Sequence, residues 1–263
     1  MKKPFKIVLW ALLAILVLPL ALAWLPPDSV TTNLPPQYQL SLFASFKQLS
    51  VTLLATLLVS SLVAIVLGYV SVLSTPLGRG LASVLKAIES VPSILIALFC
   101  YAPVSGYLAR HASNVSELAS LGVFIFAAAL TVLPEAVRGL AIPLGDLYHR
   151  KYSLSFRSYG FTKAHILSVL MRTDTMLAAI RHSAAGILLK TLVLDCSFGF
   201  VIQLGFGSYG TPAHHSPGAL IAANRDALFE GGNPLLFWLP SLLLAATSIA
   251  FLLVLNQKKD VRS

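Results

Sequence analysis

Apolar stretches long enough to cross a bilayer recur along the chain, separated by shorter polar segments. A spanning helix needs about 20 mostly apolar residues to cross roughly 30 Å of hydrocarbon. Six segments meet this length, at approximately 7–25, 48–74, 81–102, 119–141, 177–204 and 234–256. Because lipid offers no partner to unpaired backbone groups, stretches this long and this apolar form helices rather than strands. The pattern predicts an all-α integral membrane protein with six transmembrane helices.

The composition agrees, since 57% of the residues are apolar and only 11% are charged, outside the range of soluble domains. The net charge is +9, and the basic residues are spread between the apolar stretches with no long basic run. This favours a topology signal over a nucleic-acid partner. By the positive-inside rule both termini are cytoplasmic. The basic residues that give this orientation are Lys2, Lys3, Lys6, Arg79, Arg150, Lys151, Arg157, Lys163, Arg172, Lys258, Lys259 and Arg262.

The first apolar segment has two interpretations. Lys2 and Lys3, the apolar run and the small residues around Ala23 are typical of a signal peptide with its cleavage site. The run continues through Trp24 and Leu25 into a Pro-Pro turn, which favours a retained anchor. Both interpretations stay open at this point.

Motifs for bond chemistry are missing from the sequence. No glycine-rich phosphate loop ends in Gly-Lys-Ser/Thr, so we expect no nucleotide hydrolysis by this chain and no bound cofactor. The His residues form no metal-binding pair at i, i+4, and adjacent His214 and His215 point apart, which favours a solvated loop over a metal site. Cys100 and Cys196 are most simply small apolar side chains. We therefore predict no catalytic residues, no metal ligands and no enzymatic activity.

The longest cytoplasmic loop runs from Ile142 to about Thr173. It reads as two short helices broken at Gly160, with aromatic and basic side chains interleaved. A segment of this kind can place an amphipathic face in a groove on a partner protein. The alternative from pattern alone is a helix that lies on anionic lipid.

This loop resembles the EAA loop of ABC-transporter permeases, and specifically that of C-type permeases of the dipeptide/oligopeptide/nickel family. The family motif runs Tyr-x-Glu-Ala-Ala-Arg-x-x-Gly-Ala-Ser, and Tyr152, Arg157, Gly160 and Thr162 fall in register with it. The sequence departs from the motif at 154–156, where Leu-Ser-Phe replaces Glu-Ala-Ala. Further segments follow the family's order over roughly residues 45–256, namely Ile88–Leu95, Leu204–Gly207, Thr211-Pro212, Gly218–Leu220 and Asn224–Asp226.

The resemblance implies the type I ABC importer permease fold in a bacterial inner (plasma) membrane. Residues 1–45 would form an N-terminal transmembrane anchor and an extracytoplasmic loop, 46–257 the permease domain with a coupling loop at about 142–173, and 258–263 a cytoplasmic tail. The function implied is one half of a pathway for peptides or related small solutes, nickel or other metal chelates included. The implied ATPase-coupling residues are Tyr152, Phe156, Arg157, Tyr159, Gly160, Phe161, Thr162, Lys163 and Ile166.

The partners implied by the resemblance are a second, B-type permease, two ABC ATPase subunits that hydrolyse the ATP, and an extracytoplasmic substrate-binding protein, all in or at the lipid bilayer. A different class of function stays open beside it, a polytopic membrane enzyme or an assembly scaffold that no ATPase drives. Neighbouring reading frames for these partners would distinguish the two.

Charged residues inside the apolar segments are costly and tend to face protein or water. Lys86 and Glu89 are three residues apart, as are Glu135 and Arg138, which predicts two ion pairs, each within one helix. Such pairs are structural or contact a substrate. Lys190 and Asp195 lie deeper in the fifth segment. The candidate contacts with the pathway or with a partner permease are Glu89, Lys190 and Asp195.

The charge pattern predicts that a fluorescent reporter active only in the cytoplasm is bright when fused after Ser263. Whole-cell fluorescence against an immunoblot for abundance is the measurement. A dark fusion at normal abundance, or an N-terminus processed after Ala23, would contradict the predicted topology.

Overall fold

The computed structural model describes residues 3–25, 34–110, 117–201, 216–229 and 232–256. All regular secondary structure in these residues is helical, in agreement with the predicted all-α class. The helices are α1 (Lys3–Leu22), α2 (Pro36–Leu73), α3 (Thr75–Glu89), α4 (Ser93–Arg110), α5 (Glu117–His149), α6 (Lys151–Ser158), α7 (Lys163–Leu170), α8 (Asp174–Val201), α9 (Pro217–Ala223) and α10 (Leu235–Asn256), with a 3-10 turn at Arg225–Leu228.

Four helices of the described chain are long and apolar enough to cross a membrane. They are α2, the Leu121–His149 part of α5, α8 and the Leu235–Leu255 part of α10. The apolar part of α1, Trp10–Leu22, is shorter. Helices α3 and α4 are long and apolar enough only when they are taken together, and they give a fifth span if the bent pair counts as one. The chain is therefore an all-α membrane protein with four or five candidate spans, and the count of six stays a prediction.

The third predicted span, 81–102, is not one continuous helix. It divides into α3 and α4, whose axes differ by 87° across Ser90–Pro92. Pro92 has no backbone N–H to donate and disfavours helical geometry at the residue before it. The Ser90 hydroxyl donates to the Ala87 carbonyl at 2.6 Å, which satisfies one carbonyl at the end of α3. The expectation of a single straight span here is thus corrected.

The first apolar segment, α1, joins the bundle through two helices. Helix α1 packs against α10 and α2, and the Trp24 indole N–H donates to Ser50 Oγ at 2.9 Å. Helix α2 begins at Pro36, so the proposed domain boundary at 45/46 falls inside it. The Tyr38 hydroxyl donates to the Leu236 carbonyl at 2.7 Å and joins the start of α2 to α10.

The centre of the bundle is α5, which packs against α2, α8, α4, α3, α6 and α7. Lipid tails are as apolar as the side chains, so the hydrophobic effect does not drive such helices together. Close van der Waals contact between the helices stabilises the bundle instead. The largest apolar cluster joins α5 to α2, α3, α7 and α8. It contains Ala64, Leu85, Val132, Ala136, Val137, Leu140, Leu144, Leu147, Ile166, Leu167, Leu170, Met176, Ala179 and Ile187.

The short helix α9 packs directly on the backbone of α8. A Cβ on Gly218 would lie 1.9 Å from the Cys196 carbonyl oxygen, and one on Gly199 would lie 1.7 Å from Ser216 Oγ. Ser216 also caps α9 by accepting from the Ala219 N–H at 3.1 Å. Only residues without a side chain permit this approach, so the two glycines fix the position of α9.

We predict that Gly218→Ala lowers thermal stability by roughly 1–3 kcal/mol, because the added methyl group must push α9 away from α8. The matched control is Gly122→Ala on α5, where a Cβ meets nothing within 4 Å. Melting curves of the two purified variants in the same detergent test this. Equal melting temperatures would contradict the described contact.

Candidate functional site

The two short helices α6 and α7 follow α5 almost without interruption. Only Arg150 separates the end of α5 at His149 from the start of α6 at Lys151. The Ser153 hydroxyl is fully buried and donates to the Leu147 carbonyl at 2.8 Å, back in the last turn of α5. Residues 151–170, called here the α6–α7 segment, are therefore a direct continuation of the central helix.

The inner face of the segment is fixed to the bundle. Ile166, Leu167 and Leu170 are each at most 2% exposed and belong to the main apolar cluster. The Tyr69 hydroxyl of α2 donates to the Ala164 carbonyl at 3.0 Å. Ile166, one of the residues expected to contact an ATPase, thus faces the chain's own bundle and attaches α7 to it.

The basic residues of the segment turn back toward Tyr148 at the end of α5. Arg157 Nη2 donates to the Tyr148 carbonyl at 2.6 Å, and its guanidinium carbon lies 3.9 Å from the centre of the Tyr148 ring. Lys163 Nζ lies 5.3 Å from the same ring centre. These cation–π contacts tie both α6 and α7 to α5. Arg157 and Lys163 were expected among the ATPase-coupling residues, and both have this intramolecular role.

The break between α6 and α7 has the geometry of a Schellman turn. Gly160 adopts φ +79°, a conformation that side-chain-bearing residues rarely adopt. The Phe161 N–H donates to the Phe156 carbonyl at 3.2 Å, and the Gly160 N–H donates to the Arg157 carbonyl at 2.9 Å. Thr162 then caps α7 by accepting from the His165 N–H at 3.4 Å. The predicted break at Gly160 is confirmed, and the turn is ordered by its own hydrogen bonds.

The outer face of this turn presents aromatic side chains to the surroundings. Tyr159 is 81% exposed and Phe161 is 45% exposed. The Phe161 ring stacks on His165 at 5.1 Å and meets Phe156 edge-on at 5.9 Å. Tyr159, Phe161 and His165 are called here the turn patch. The side chain of Tyr152 lies outside the described part of the structure, so its expected role is not placed.

Four charged side chains form two ion pairs between helices. Glu89 at the end of α3 pairs with Arg138 of α5. One turn away on α5, Glu135 Oε2 lies 3.3 Å from Lys190 Nζ of α8. The expected pairs within one helix, Lys86–Glu89 and Glu135–Arg138, are corrected accordingly. Neighbouring helices bring opposite charges close to Glu89 and Glu135, which sequence spacing alone does not show.

The charge cluster, made of Glu89, Arg138, Glu135 and Lys190, lies on an accessible face where α3, α5 and α8 meet. Glu135 is the middle residue of the candidate span Leu121–His149, and Lys190 lies near the middle of α8. The side-chain exposure is 66% for Glu135 and 35% for Lys190. A charge within a membrane-spanning helix is costly in contact with lipid. This face therefore requires water or a polar protein surface beside it.

Asp195, the third expected contact residue, lies elsewhere. It is only 1% exposed, and Thr191, one turn earlier on α8, is fully buried as well. Five residues of helix separate it from Lys190 and rotate its side chain about 140° away. Asp195 thus belongs to the bundle interior and Lys190 to the accessible face.

Several residues of the site were not predicted, Arg138 and His165 among them. Tyr148 and Tyr69 hold the α6–α7 segment in place, and Glu135 completes the charge cluster. A signal for Tyr148 existed, because this aromatic residue lies two positions before the basic pair Arg150 and Lys151. Nothing in the spacing of Tyr69, on a helix 95 residues from its acceptor at Ala164, indicated its contact.

No group of three or more His, Cys, Asp and Glu side chains is gathered for a metal ion in the described ranges. His214 and His215, considered above as a metal pair, lie outside those ranges. Comparison of the chain with models of known protein families, and with curated proteins, gave no match.

We predict that Lys190→Met lowers thermal stability and that adding Glu135→Gln restores most of the loss. The single change leaves a carboxylate unpaired among apolar helices, whereas the double change removes both charges. Because both groups are partly exposed, we expect a coupling of about 1 kcal/mol or less. A double-mutant cycle of melting temperatures measures it.

The control cycle is Arg225→Gln with Asp226→Asn, an exposed pair of adjacent residues with 3.5 Å between Arg225 Nε and Asp226 Oδ1. Strictly additive effects at Glu135 and Lys190, as at the control pair, would show that the contact across helices has no energetic role.

Proposed function

We propose that this chain is the permease subunit of an ATP-driven ABC importer and forms one half of its translocation pathway. One observation carries the proposal: a single helix, α5, joins the exposed α6–α7 segment to the charge cluster. Support also comes from the resemblance of residues 152–162 to the EAA loop, since the Gly160 turn of that motif is formed here. The proposed location is a bacterial inner membrane, with both termini in the cytoplasm.

The proposed coupling is mechanical. From His149 to Glu135 is 14 residues of helix, or about 21 Å at 1.5 Å per residue. The α6–α7 segment is attached to α5 through Ser153, Arg157 and the apolar side chains of α7. A displacement of the segment therefore moves α5 with it, and α5 carries Glu135 and Arg138. Closure of ATPases bound to the segment would then change the helix contacts at the charge cluster and shift the bundle between two states.

The ATPases are proposed to bind the turn patch. Aromatic side chains that are exposed on a rigid frame make effective interface centres, because they bury a large area at a small entropic cost. The chain lacks the Glu of the family motif, as Leu154, Ser155 and Phe156 occupy those positions. Tyr159 and Phe161 would supply apolar contact in its place.

The other proposed partners follow from the charge cluster. A second, B-type permease with polar groups at the same depth would enclose a water-filled path between the two subunits. An extracytoplasmic binding protein would deliver the solute, a peptide or a related small molecule such as a metal chelate. In this arrangement the chain performs no bond chemistry and holds no cofactor.

The test is co-expression of the chain with the ATPases encoded beside it, followed by co-purification and uptake measurements. We predict that Tyr159→Ala weakens ATPase association about tenfold or more while membrane abundance is unchanged. Gly160→Val should abolish uptake as well, because a β-branched residue cannot adopt the turn without strain. Ser155→Ala, at an exposed position of the same helix, is the matched control and should be silent.

Normal association and uptake in both Tyr159→Ala and Gly160→Val would remove the coupling role of the segment. ATP hydrolysis by the purified chain alone would also contradict the proposal, since the energy source would then lie within this polypeptide. A chain that assembles with no ATPase in any preparation would favour a scaffold or a membrane enzyme.

A further inference from the structure

Helix α3 has an apolar side that the bundle covers only in part. Leu85 is 7% exposed, and Leu81 packs against the main apolar cluster beside it. Leu77 and Val84 are seven residues apart and thus share one side of the helix. They remain 61% and 58% exposed. Part of the apolar side therefore contacts something other than this chain.

The opposite side of α3 is basic. Arg79 and Lys86 are also seven residues apart, and each lies two residues beyond an exposed apolar position, or about 200° around the helix. Both residues are exposed. The acidic residue of the helix, Glu89, is already paired with Arg138. Separate apolar and basic sides are typical of helices that lie in the plane of a membrane interface.

The position of α3 fits such an interface. The 87° bend at Ser90–Pro92 puts α3 nearly in the membrane plane when α4 runs along the membrane normal. Gly78 of α3 packs on Ser71 of α2, and Tyr69, two residues earlier on α2, donates to Ala164 of α7, so α3 starts at the same end of the bundle as the α6–α7 segment. That end carries the basic loop, which the positive-inside rule puts at the cytoplasmic leaflet.

The corner between α2 and α3 holds α3 in this position. A Cβ on Gly78 would lie 2.3 Å from the Ser71 carbonyl oxygen, so the first turn of α3 touches the backbone of α2. The Gly78 N–H donates to the Ser74 carbonyl at 2.8 Å across the same corner. Helix α3 is thus a fixed part of the fold, and its uncovered side has a defined direction.

We propose that α3 binds the anionic lipids of the cytoplasmic leaflet. Leu77 and Val84 enter the upper acyl region, while Arg79 and Lys86 contact lipid phosphates. The charge complementarity is direct, because this leaflet is negative and each basic residue near its surface adds to binding. This proposal concerns a surface apart from the turn patch and the charge cluster, and it does not depend on the transport role.

The experiment places a polarity-sensitive fluorophore on one side of α3 at a time. Val84→Cys and Ala82→Cys are each labelled in a Cys100→Ala, Cys196→Ala background, and the full chain is reconstituted in nanodiscs. Ala82 is the matched control, since it is exposed on the same helix two residues away. The discs contain phosphatidylcholine and phosphatidylglycerol, and a quenching nitroxide sits at the top of the acyl chain of one lipid or the other.

We predict strong quenching of the label at Val84→Cys by lipid nitroxide and weak quenching at Ala82→Cys. At equal mole fraction, labelled phosphatidylglycerol should quench the Val84→Cys label about twofold or more better than labelled phosphatidylcholine. The added pair Arg79→Gln and Lys86→Gln should make the two lipids equal. Adding Arg225→Gln, which removes a charge from the exposed 3-10 turn, should leave the preference unchanged.

Equal quenching at Val84→Cys and Ala82→Cys would overturn the proposed orientation. A Val84→Cys label shielded from both lipids would show that a protein surface covers α3. A preference for phosphatidylglycerol that survives Arg79→Gln with Lys86→Gln would overturn the role of the two basic residues. None of these readouts requires ATPase binding or uptake, so failure here is distinct from failure of the proposed transport function.

Discussion

Hydrocarbon offers no hydrogen-bond partner to a polar group, and this constrains every part of the structure. It makes the long apolar segments helical, since only a helix satisfies its own backbone. It also explains why Glu135 and Lys190 meet across two helices, because neither charge is stable alone in apolar surroundings. The same constraint leaves their accessible face unsuitable for lipid. The bundle is therefore incomplete along that face without water or a further polar surface.

Helix α5 connects the two features on which the proposed function rests. Its last turns share one apolar cluster with α7, and its middle carries Glu135 and Arg138. Packed side chains in such a cluster resist small displacements, so the segment and the helix move together. The arrangement has one exposed end with aromatic side chains and one charged region about 21 Å away. The proposed coupling of an external contact to a change within the bundle needs both.

The fold was largely predictable where the signal was local. Length and apolarity located the helices, and Gly160 correctly marked the break between α6 and α7, because its backbone requirement is a property of single residues. The division of 81–102 was missed although Pro92 was visible in the sequence. Hydropathy averaged over a window does not register one missing hydrogen bond, yet the bend of 87° turns α3 into a separate element.

The sequence by itself determined the all-α membrane class, the approximate positions of the long helices and the aromatic and basic character of the α6–α7 segment. The tertiary structure alone decided which side chains face outward. The sequence puts Ile166 and Arg157 in the same group of coupling residues as Tyr159 and Phe161. In the structure Ile166 is buried and Arg157 binds Tyr148, so Tyr159 and Phe161 are the two that are exposed to a partner. The ion-pair partners of Glu89 and Glu135 also depend on the tertiary structure. Contacts between residues 49 and 55 positions apart depend on how helices pack, and no local spacing encodes that.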